Sequence, residues 1–96
     1  MELKKTAVAG TLESSDLQIT ISPAINGLSF ELTSDVKKQF GDQIIATIED
    51  VLKKYEIENA TIQIVDKGAL DLVIRARAVA AVERALETED INWEAL

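Results

Sequence analysis

The chain has 96 residues, of which 47% are hydrophobic and 28% charged, a composition typical of one globular domain rather than of a disordered or membrane-embedded chain. The formal net charge of −7 argues against nucleic acid as a partner, because phosphate binding requires clustered lysine and arginine. The sequence contains no cysteine and no histidine, which excludes disulfides, thiolate or imidazole metal sites, and Ser-His or Cys-His nucleophiles.

The first predicted elements are two strands joined by a polar turn. Residues 6–12 are small and largely apolar, and residues 17–22 alternate apolar and polar side chains, as in a strand with one buried face. Between them lies the segment 13–16, Glu-Ser-Ser-Asp, whose side chains favour a turn because they hydrogen-bond to nearby backbone. We therefore predict an antiparallel hairpin with Ser14 and Ser15 at its tip.

A third strand and a first helix follow. Residues 28–33 alternate again, and Ser34 is a natural N-cap for a helix with Asp35 in its first turn. Apolar residues then recur at three- and four-residue spacing to residue 55, which predicts an amphipathic helix.

The last predicted elements are a fourth strand and a second helix. Residues 60–65 alternate, and Asp66 is a candidate cap for a helix over residues 69–87. Six residues are predicted to form the buried stripe of that helix: Leu70, Ile74, Ala78, Ala81, Val82 and Ala85. Residues 88–96 form an acidic tail of the single domain 1–96, with Trp93 as its largest apolar residue.

The element order βββαβα indicates the fold class. Alternating strands imply a sheet with one wet face, so both helices should cover the other face. We predict an α+β fold: a two-layer open-faced sandwich with a mostly antiparallel four-stranded sheet. Residues 1–5 lack the apolar segment of a signal peptide, and no apolar run approaches the roughly 18 residues of a membrane span. We therefore predict a cytoplasmic protein.

The charged residues offer weak candidates for chemistry. Glu13 and Asp16 flank the two serines, but a hairpin tip offers no pocket that would separate their pKa values for acid–base catalysis. A second set of acids shows no metal-binding spacing and is predicted to be solvated surface: Glu49, Asp50, Asp66 and Asp71. A set of three arginines is predicted to pair with the protein's own acids: Arg75, Arg77 and Arg84. We predict no catalytic residue and no metal site.

The chain resembles a known family over its whole length. The resemblance is carried by residues 7–14 (Ala-Val-Ala-Gly-Thr-Leu-Glu-Ser), 38–42 (Lys-Gln-Phe-Gly-Asp), 66–71 (Asp-Lys-Gly-Ala-Leu-Asp) and 74–77 (Ile-Arg-Ala-Arg). On these stretches the chain is similar to the acyl carrier proteins of citrate lyase, the gamma subunits of that bacterial complex. The Asp-Ser-Leu motif and the all-helical pattern of fatty-acid carrier proteins are missing, so the resemblance implies an arm other than phosphopantetheine.

The resemblance implies a covalent prosthetic group on a serine. The family attaches 2'-(5''-phosphoribosyl)-3'-dephospho-CoA to the last residue of its Gly-Thr-Leu-Glu-Ser motif, which is Ser14 in this chain. The thiol of this arm holds the acetyl or citryl group while the alpha (acyl transferase) and beta (citryl lyase) subunits convert citrate to acetate and oxaloacetate. A dedicated transferase installs the arm. Family members often have glycine after this serine, where this chain has Ser15, the second candidate for attachment.

Two other functions remain open at the level of sequence. The carrier subunit of malonate decarboxylase uses a similar arm, and an unmodified acidic adaptor would bind proteins through its sheet or tail. The intact mass of the protein distinguishes a modified carrier from an unmodified adaptor. The acyl group that the carrier accepts distinguishes citrate lyase from malonate decarboxylase.

Overall fold

The computed structural model describes residues 2–34 and 37–87, and of residues 37–39 the backbone only. Along the chain lie six elements: β1 (Ala7–Gly10), β2 (Leu17–Pro23), β3 (Leu28–Ser34), α1 (Lys37–Lys54), β4 (Ala60–Asp66) and α2 (Asp71–Leu86). The predicted order βββαβα is confirmed. The predicted role of Asp35 and the acidic tail with Trp93 lie outside the described residues.

The four strands form one sheet in the order β1-β2-β4-β3. β1 pairs antiparallel with β2, and β2 pairs antiparallel with β4. β3 and β4 run parallel, because α1 connects them and carries the chain back to the end of the sheet where β3 began. The sheet is therefore mixed, with two of its three pairings antiparallel, and β4 lies between β2 and β3.

Both helices pack on one face of this sheet, as predicted. Alternate residues of the two central strands point toward them and are fully buried, among them Ile19 and Ile62. The helices contribute side chains such as Ile48 and Val82, both at most 1% exposed. The sequence contains only one Trp, one Tyr and two Phe, so the core is built from aliphatic residues, whose burial supplies most of the folding free energy. No helix in the described ranges is long and apolar enough to cross a membrane.

Two predicted helix starts differ from the structure. Ser34 is the last residue of β3, and its hydroxyl donates a 2.8 Å hydrogen bond to Asp66 Oδ2. The second helix begins at Asp71, two residues later than predicted, with Leu70 as an N-cap residue that makes no side-chain capping bond. Leu70 is 75% exposed, so its assignment to the buried stripe is wrong, whereas the other five predicted residues of the stripe are buried.

Asp66 is the buried carboxylate of the fold, at 1% exposure. Besides the Ser34 hydroxyl it accepts hydrogen bonds from the main-chain N–H groups of Gly68 (3.2 Å) and Ala69 (3.0 Å). It caps the loop between β4 and α2 rather than the helix itself. The prediction that Asp66 belongs to the solvated surface is therefore wrong, because these donors replace the water that a buried carboxylate would otherwise need.

Replacing Asp66 with alanine should lower the free energy of unfolding by about 2–3 kcal/mol, since the donors around it lose a charged acceptor. Urea unfolding followed by circular dichroism measures the change. Asp42→Ala, which removes an exposed carboxylate from α1, is the matched control and should change stability by less than about 0.5 kcal/mol. Equal losses in the two variants would contradict the role assigned to Asp66.

The topology brings four segments to one end of the molecule, here called the tip end. They are the β1–β2 connection (11–16), the β4–α2 loop (67–70), and the N-terminal ends of α1 and α2. This follows from the register, in which Leu17 at the start of β2 and Ser34 at the end of β3 both align with Asp66. The candidate serines lie at this end.

Candidate functional site

The connection between β1 and β2 is a tight turn, so the predicted hairpin is confirmed. The main-chain N–H of Asp16 donates to the carbonyl of Glu13 over 3.2 Å, which places Ser14 and Ser15 at the two central positions. Both serines are exposed. The hydroxyl of Ser14 therefore lies at the surface on a closed turn.

The backbone of this turn requires unusual conformations at two residues. Ser15 has φ 65°, in the left-handed region that glycine tolerates best, and the turn has the φ pattern of a type II turn. Gly10, at the end of β1, has φ 87°, and a Cβ atom there would lie 1.7 Å from the carbonyl oxygen of Leu17. Gly10 thus allows the close approach of the two strands just before the turn. The left-handed backbone at Ser15 also explains physically why glycine suits this position.

Substitutions at Ser15 should report this backbone conformation. Ser15→Gly should leave stability within about 0.5 kcal/mol of wild type or raise it, because relief of strain offsets the added freedom of the unfolded chain. Ser15→Val should lower it by about 1–2 kcal/mol, since a β-branched residue fits the left-handed region poorly. Urea unfolding measures both. Ser29→Val, at an exposed position in β3, is the control for β-branching, and wild-type stability of Ser15→Val would contradict the expectation.

The turn is also tied to the loop that follows β4. The N–H of Ser15 donates to the carbonyl of Lys67 over 2.8 Å, and the N–H of Lys67 donates to the carbonyl of Asp16 over 2.9 Å. These two bonds extend the β2–β4 ladder beyond the strands themselves. Asp66 accepts hydrogen bonds from main-chain N–H groups of the same loop. The hairpin turn that carries Ser14 is therefore held in place by an ordered neighbouring loop.

Asp16 is the polar centre of the site. Its carboxylate accepts hydrogen bonds from the Thr11 hydroxyl (2.6 Å) and from the N–H of Leu17 (2.7 Å). Arg77 adds a bidentate contact, with Nε 3.0 Å from Oδ1 and Nη2 2.9 Å from Oδ2. The Asp16 side chain is only 14% exposed. Four donor atoms, from both sides of the turn and from α2, thus surround one carboxylate. We call these contacts the Asp16–Arg77 clamp.

The clamp determines the charge state of its members. Hydrogen bonds from Arg77, then from Thr11 and the Leu17 amide, hold the pKa of Asp16 well below its ordinary value. The same contact with Asp16 raises the pKa of Arg77. Each shift favours the charged form, so the pair stays ionised. The negative charge of Asp16 beside Ser14 is therefore balanced by a fixed guanidinium.

The sequence predicted acidic partners for three arginines, and the structure places each of them. Arg77 binds Asp16, and Arg75 on the same helix binds Asp50 of α1 over 2.6 Å. Arg84 differs, because its guanidinium donates to the main-chain carbonyl of Val8 over 2.7 Å. The specific pairing of Arg77 with Asp16 was missed by sequence reasoning, since 61 residues separate the two and no local pattern links them.

The acids that were considered for metal binding are dispersed. Asp71 accepts a hydrogen bond from the Thr47 hydroxyl over 2.7 Å, and Asp50 lies against Arg75 and, over 3.9 Å, Lys54. Within residues 2–34 and 37–87 no three acidic side chains come together as a metal site. The arrangement at the turn offers an exposed hydroxyl on a fixed backbone, in a chain without histidine or cysteine. Neither a histidine nor a cysteine is therefore available to activate the Ser14 hydroxyl or replace it as a nucleophile.

Comparison with known proteins identifies the family. Residues 4–85 match a family model described as "ACP: Malonate decarboxylase delta subunit (MdcD)". In a solved structure of a Pseudomonas malonate decarboxylase hetero-tetramer in complex with malonate, one chain superposes with a TM-score of 0.76 at 23% identity, over 88% of both chains. At that identity the likeness concerns the fold alone. The fold, the exposed turn and the family match together define an acyl carrier.

The particular carrier family is shown by sequence. The chain is 67% identical over 96 residues to the citrate lyase acyl carrier protein of Lactococcus lactis subsp. lactis (strain IL1403), with all of both chains covered. It is 62% identical over 97 residues to that of Oenococcus oeni (strain ATCC BAA-331 / PSU-1), again over the full length of both. The chain belongs to the family of citrate lyase acyl carrier proteins. The resemblance noted from its motifs is confirmed.

Proposed function

We propose that this protein is the acyl carrier subunit of citrate lyase and that Ser14 bears its covalent phosphoribosyl-dephospho-CoA arm. The observation that carries the proposal is the exposed Ser14 hydroxyl on a turn that the Asp16–Arg77 clamp and the Lys67 main chain hold in place. The proposal is also supported by two relatives that are 62–67% identical over their full length, both of which are citrate lyase acyl carrier proteins.

The residues around Ser14 fit such a group. Its hydroxyl is exposed and lies on a turn, so a bulky substituent meets solvent rather than core. A phosphate-bearing arm is anionic, and the nearby half-buried acid, Asp16, is already paired with Arg77. Only Glu13, which is exposed, adds an unbalanced negative charge next to the attachment point, and water screens it.

The carrier and the other subunits of the complex have different roles, because this chain has no cysteine thiol of its own. When bound, the arm supplies the thiol that a sequence without cysteine cannot supply, and the acyl group is held there during cleavage of citrate to acetate and oxaloacetate. The alpha (acyl transferase) and beta (citryl lyase) subunits perform the bond-making and bond-breaking steps of this carbon–carbon lyase. The carrier's own residues hold the attachment point still, which narrows the volume that the end of the arm explores.

The mass of the protein tests the proposal. Protein isolated from citrate-grown cells should carry the additional mass of one arm, and peptide mapping should locate it on the peptide that contains Ser14. A recombinant protein is informative only when the attaching enzymes are produced with it. An unmodified protein from citrate-grown cells would overturn the proposal and favour the acidic adaptor.

The carrier of malonate decarboxylase is the second candidate, favoured by the family model and by the structural likeness to the Pseudomonas complex. The loaded protein would then accept malonyl rather than citryl groups. Acyl transfer to the loaded carrier, measured with citrate and with malonate in reconstituted complexes, separates the two. We expect transfer with the citrate lyase subunits only, in line with the full-length relatives.

A further inference from the structure

Exposed apolar side chains are concentrated at the tip end. Among the described residues, seven large hydrophobic side chains are exposed, and four of them lie at this end: Leu12, Phe40, Leu70 and Leu72. Leu70 and Leu72 are each 75% exposed. Monomeric proteins rarely gather such residues on one surface unless a partner covers it.

These leucines have no role in the fold that would explain their type. Leu70 is the N-cap residue of α2 and makes no side-chain capping bond, a position at which serine, threonine or aspartate is usual. Leu72 lies in the first turn of the helix, and the buried side of α2 begins only at Ile74. Polar residues would serve local structure better at both positions, so contacts among the described residues do not account for these leucines.

A shallow apolar groove of about 380 Å³, lined in part by Leu70, lies at the same end of the molecule. Phe40 and Ile44 of α1 form one wall, and Ala69, Leu70 and Ile74 form the other. We call this groove, together with Phe40, Leu70 and Leu72, the apolar tip surface. It offers both protruding side chains and a concavity, the combination into which a partner's apolar residues pack.

The apolar tip surface is continuous with the attachment point. Gly68 lines the groove, and the preceding residue, Lys67, forms the two main-chain hydrogen bonds to Ser15 and Asp16. A protein that contacts Ser14 from this end therefore also lies close to the groove. The net charge of −7 and the exposed Glu13 and Asp71 at this end would favour a partner with basic residues around its contact surface.

We propose that the apolar tip surface is the docking site of the enzyme that attaches the arm to Ser14, an inference that rests on the proposed function. Attachment requires that the enzyme's active site reach the Ser14 hydroxyl itself. A stable interface covers about 800 Å² on each partner, equivalent to a disc about 30 Å across, and the described part of the chain spans only 31 × 26 × 20 Å. We therefore expect the footprint of the attaching enzyme to extend from Ser14 onto this surface.

The subunits that handle the acyl group meet a different requirement. They act on the thiol at the far end of a flexible arm and need not contact the residues around Ser14, where the arm is attached. Of the partners of the carrier, the attaching enzyme is thus the one whose chemistry demands contact at the tip end. Burial of Leu70 and Leu72 contributes the binding affinity of the attaching enzyme, and the Ser14 hydroxyl is the group to which that enzyme attaches the arm.

A double variant, Leu70→Ser with Leu72→Glu, tests the docking surface without disturbing the fold. Serine is a preferred N-cap residue, and glutamate is favoured in the first turn of a helix. The unmodified variant should bind the attaching enzyme at least about tenfold more weakly than wild type, as expected for loss of an interface anchor. The kcat/KM for arm attachment should fall by the same factor, chiefly through KM. Ile25→Glu is the matched control, because Ile25 is 90% exposed at the opposite end, and it should bind and be loaded as wild type.

The outcomes separate this inference from the proposed function. Failure of wild-type protein to gain the arm would overturn the proposed function. Wild-type loading together with unchanged binding and loading of the double variant would overturn the docking site alone. Double variant that has been loaded to completion should support citrate cleavage at the wild-type rate. If instead loading is normal and cleavage is impaired, the surface belongs to the acyl-handling subunits and the proposal is wrong.

Discussion

Ser14→Ala is expected to abolish attachment of the arm and, with it, citrate cleavage by a complex reconstituted with this subunit. The hydroxyl is the proposed acceptor, and the chain has no cysteine thiol to replace the one that the arm brings. Intact-mass analysis after incubation with the attaching enzyme should show no added mass, and cleavage activity should fall to the background of a complex without carrier. Stability should change by less than about 0.5 kcal/mol, because the side chain is exposed.

Ser15→Ala is the matched control for Ser14→Ala, since it removes the neighbouring hydroxyl from the same turn. It should gain the full mass of the arm and retain activity. Loading of Ser14→Ala together with loss of loading in Ser15→Ala would assign the arm to Ser15. Loading of both single variants would show that neither hydroxyl alone is required, contrary to the proposed function.

Arg77→Met should slow arm attachment about ten- to a hundredfold, because loss of the bidentate contact loosens the turn and misplaces the acceptor hydroxyl. Methionine retains the apolar stem of arginine, so the packing of α2 is largely kept. Hydrogen exchange should be faster at the Ser15 and Lys67 amides. Arg75→Met is the matched control, since Arg75 lies on the same helix but binds Asp50 of α1. Equal slowing in both variants would show that the clamp has no specific role.

The clamp should also change how the turn responds to acid. Because the pKa of Asp16 is lowered in the folded protein, its contribution to stability is present above the ordinary Asp value of about 3.9 and is lost only as the pH falls through the lowered folded value. Carbon-13 NMR of the carboxyl groups should therefore show Asp16 titrating well below the ordinary value for aspartate. In Arg77→Met its pKa should return toward the ordinary value. An Asp16 titration identical in the two proteins would contradict the assigned cause.

Much of the fold was predictable because its signals are local. Strands β2 and β4 were recognised from period-two alternation, and the hairpin tip was recognised from four consecutive polar turn residues. These patterns reflect backbone preferences and burial of one face, which act within a few residues. The position of Ser14 at an exposed turn followed from them.

The features that position Ser14 were decided by the tertiary structure. The contact between Asp16 and Arg77 forms because α2 packs over β1 and β2, and the sequence leaves Asp16 equally compatible with an ordinary solvated turn. Asp66 is buried because β4 lies between β2 and β3, an arrangement set by the α1 crossover rather than by the strand's own pattern. Leu70 matched the helical period but lies just before the first turn of α2, exposed beside the groove.

The sequence by itself determined which segments are strands and helices, where the serine turn lies and that no histidine or cysteine is present, since these depend on residue type and short-range periodicity. Only the tertiary structure determined that the turn is clamped from α2, supported by a buried carboxylate and bordered by an apolar groove. The physical reason is that such contacts join residues tens of positions apart, and their free energies depend on how the helices and strands pack together.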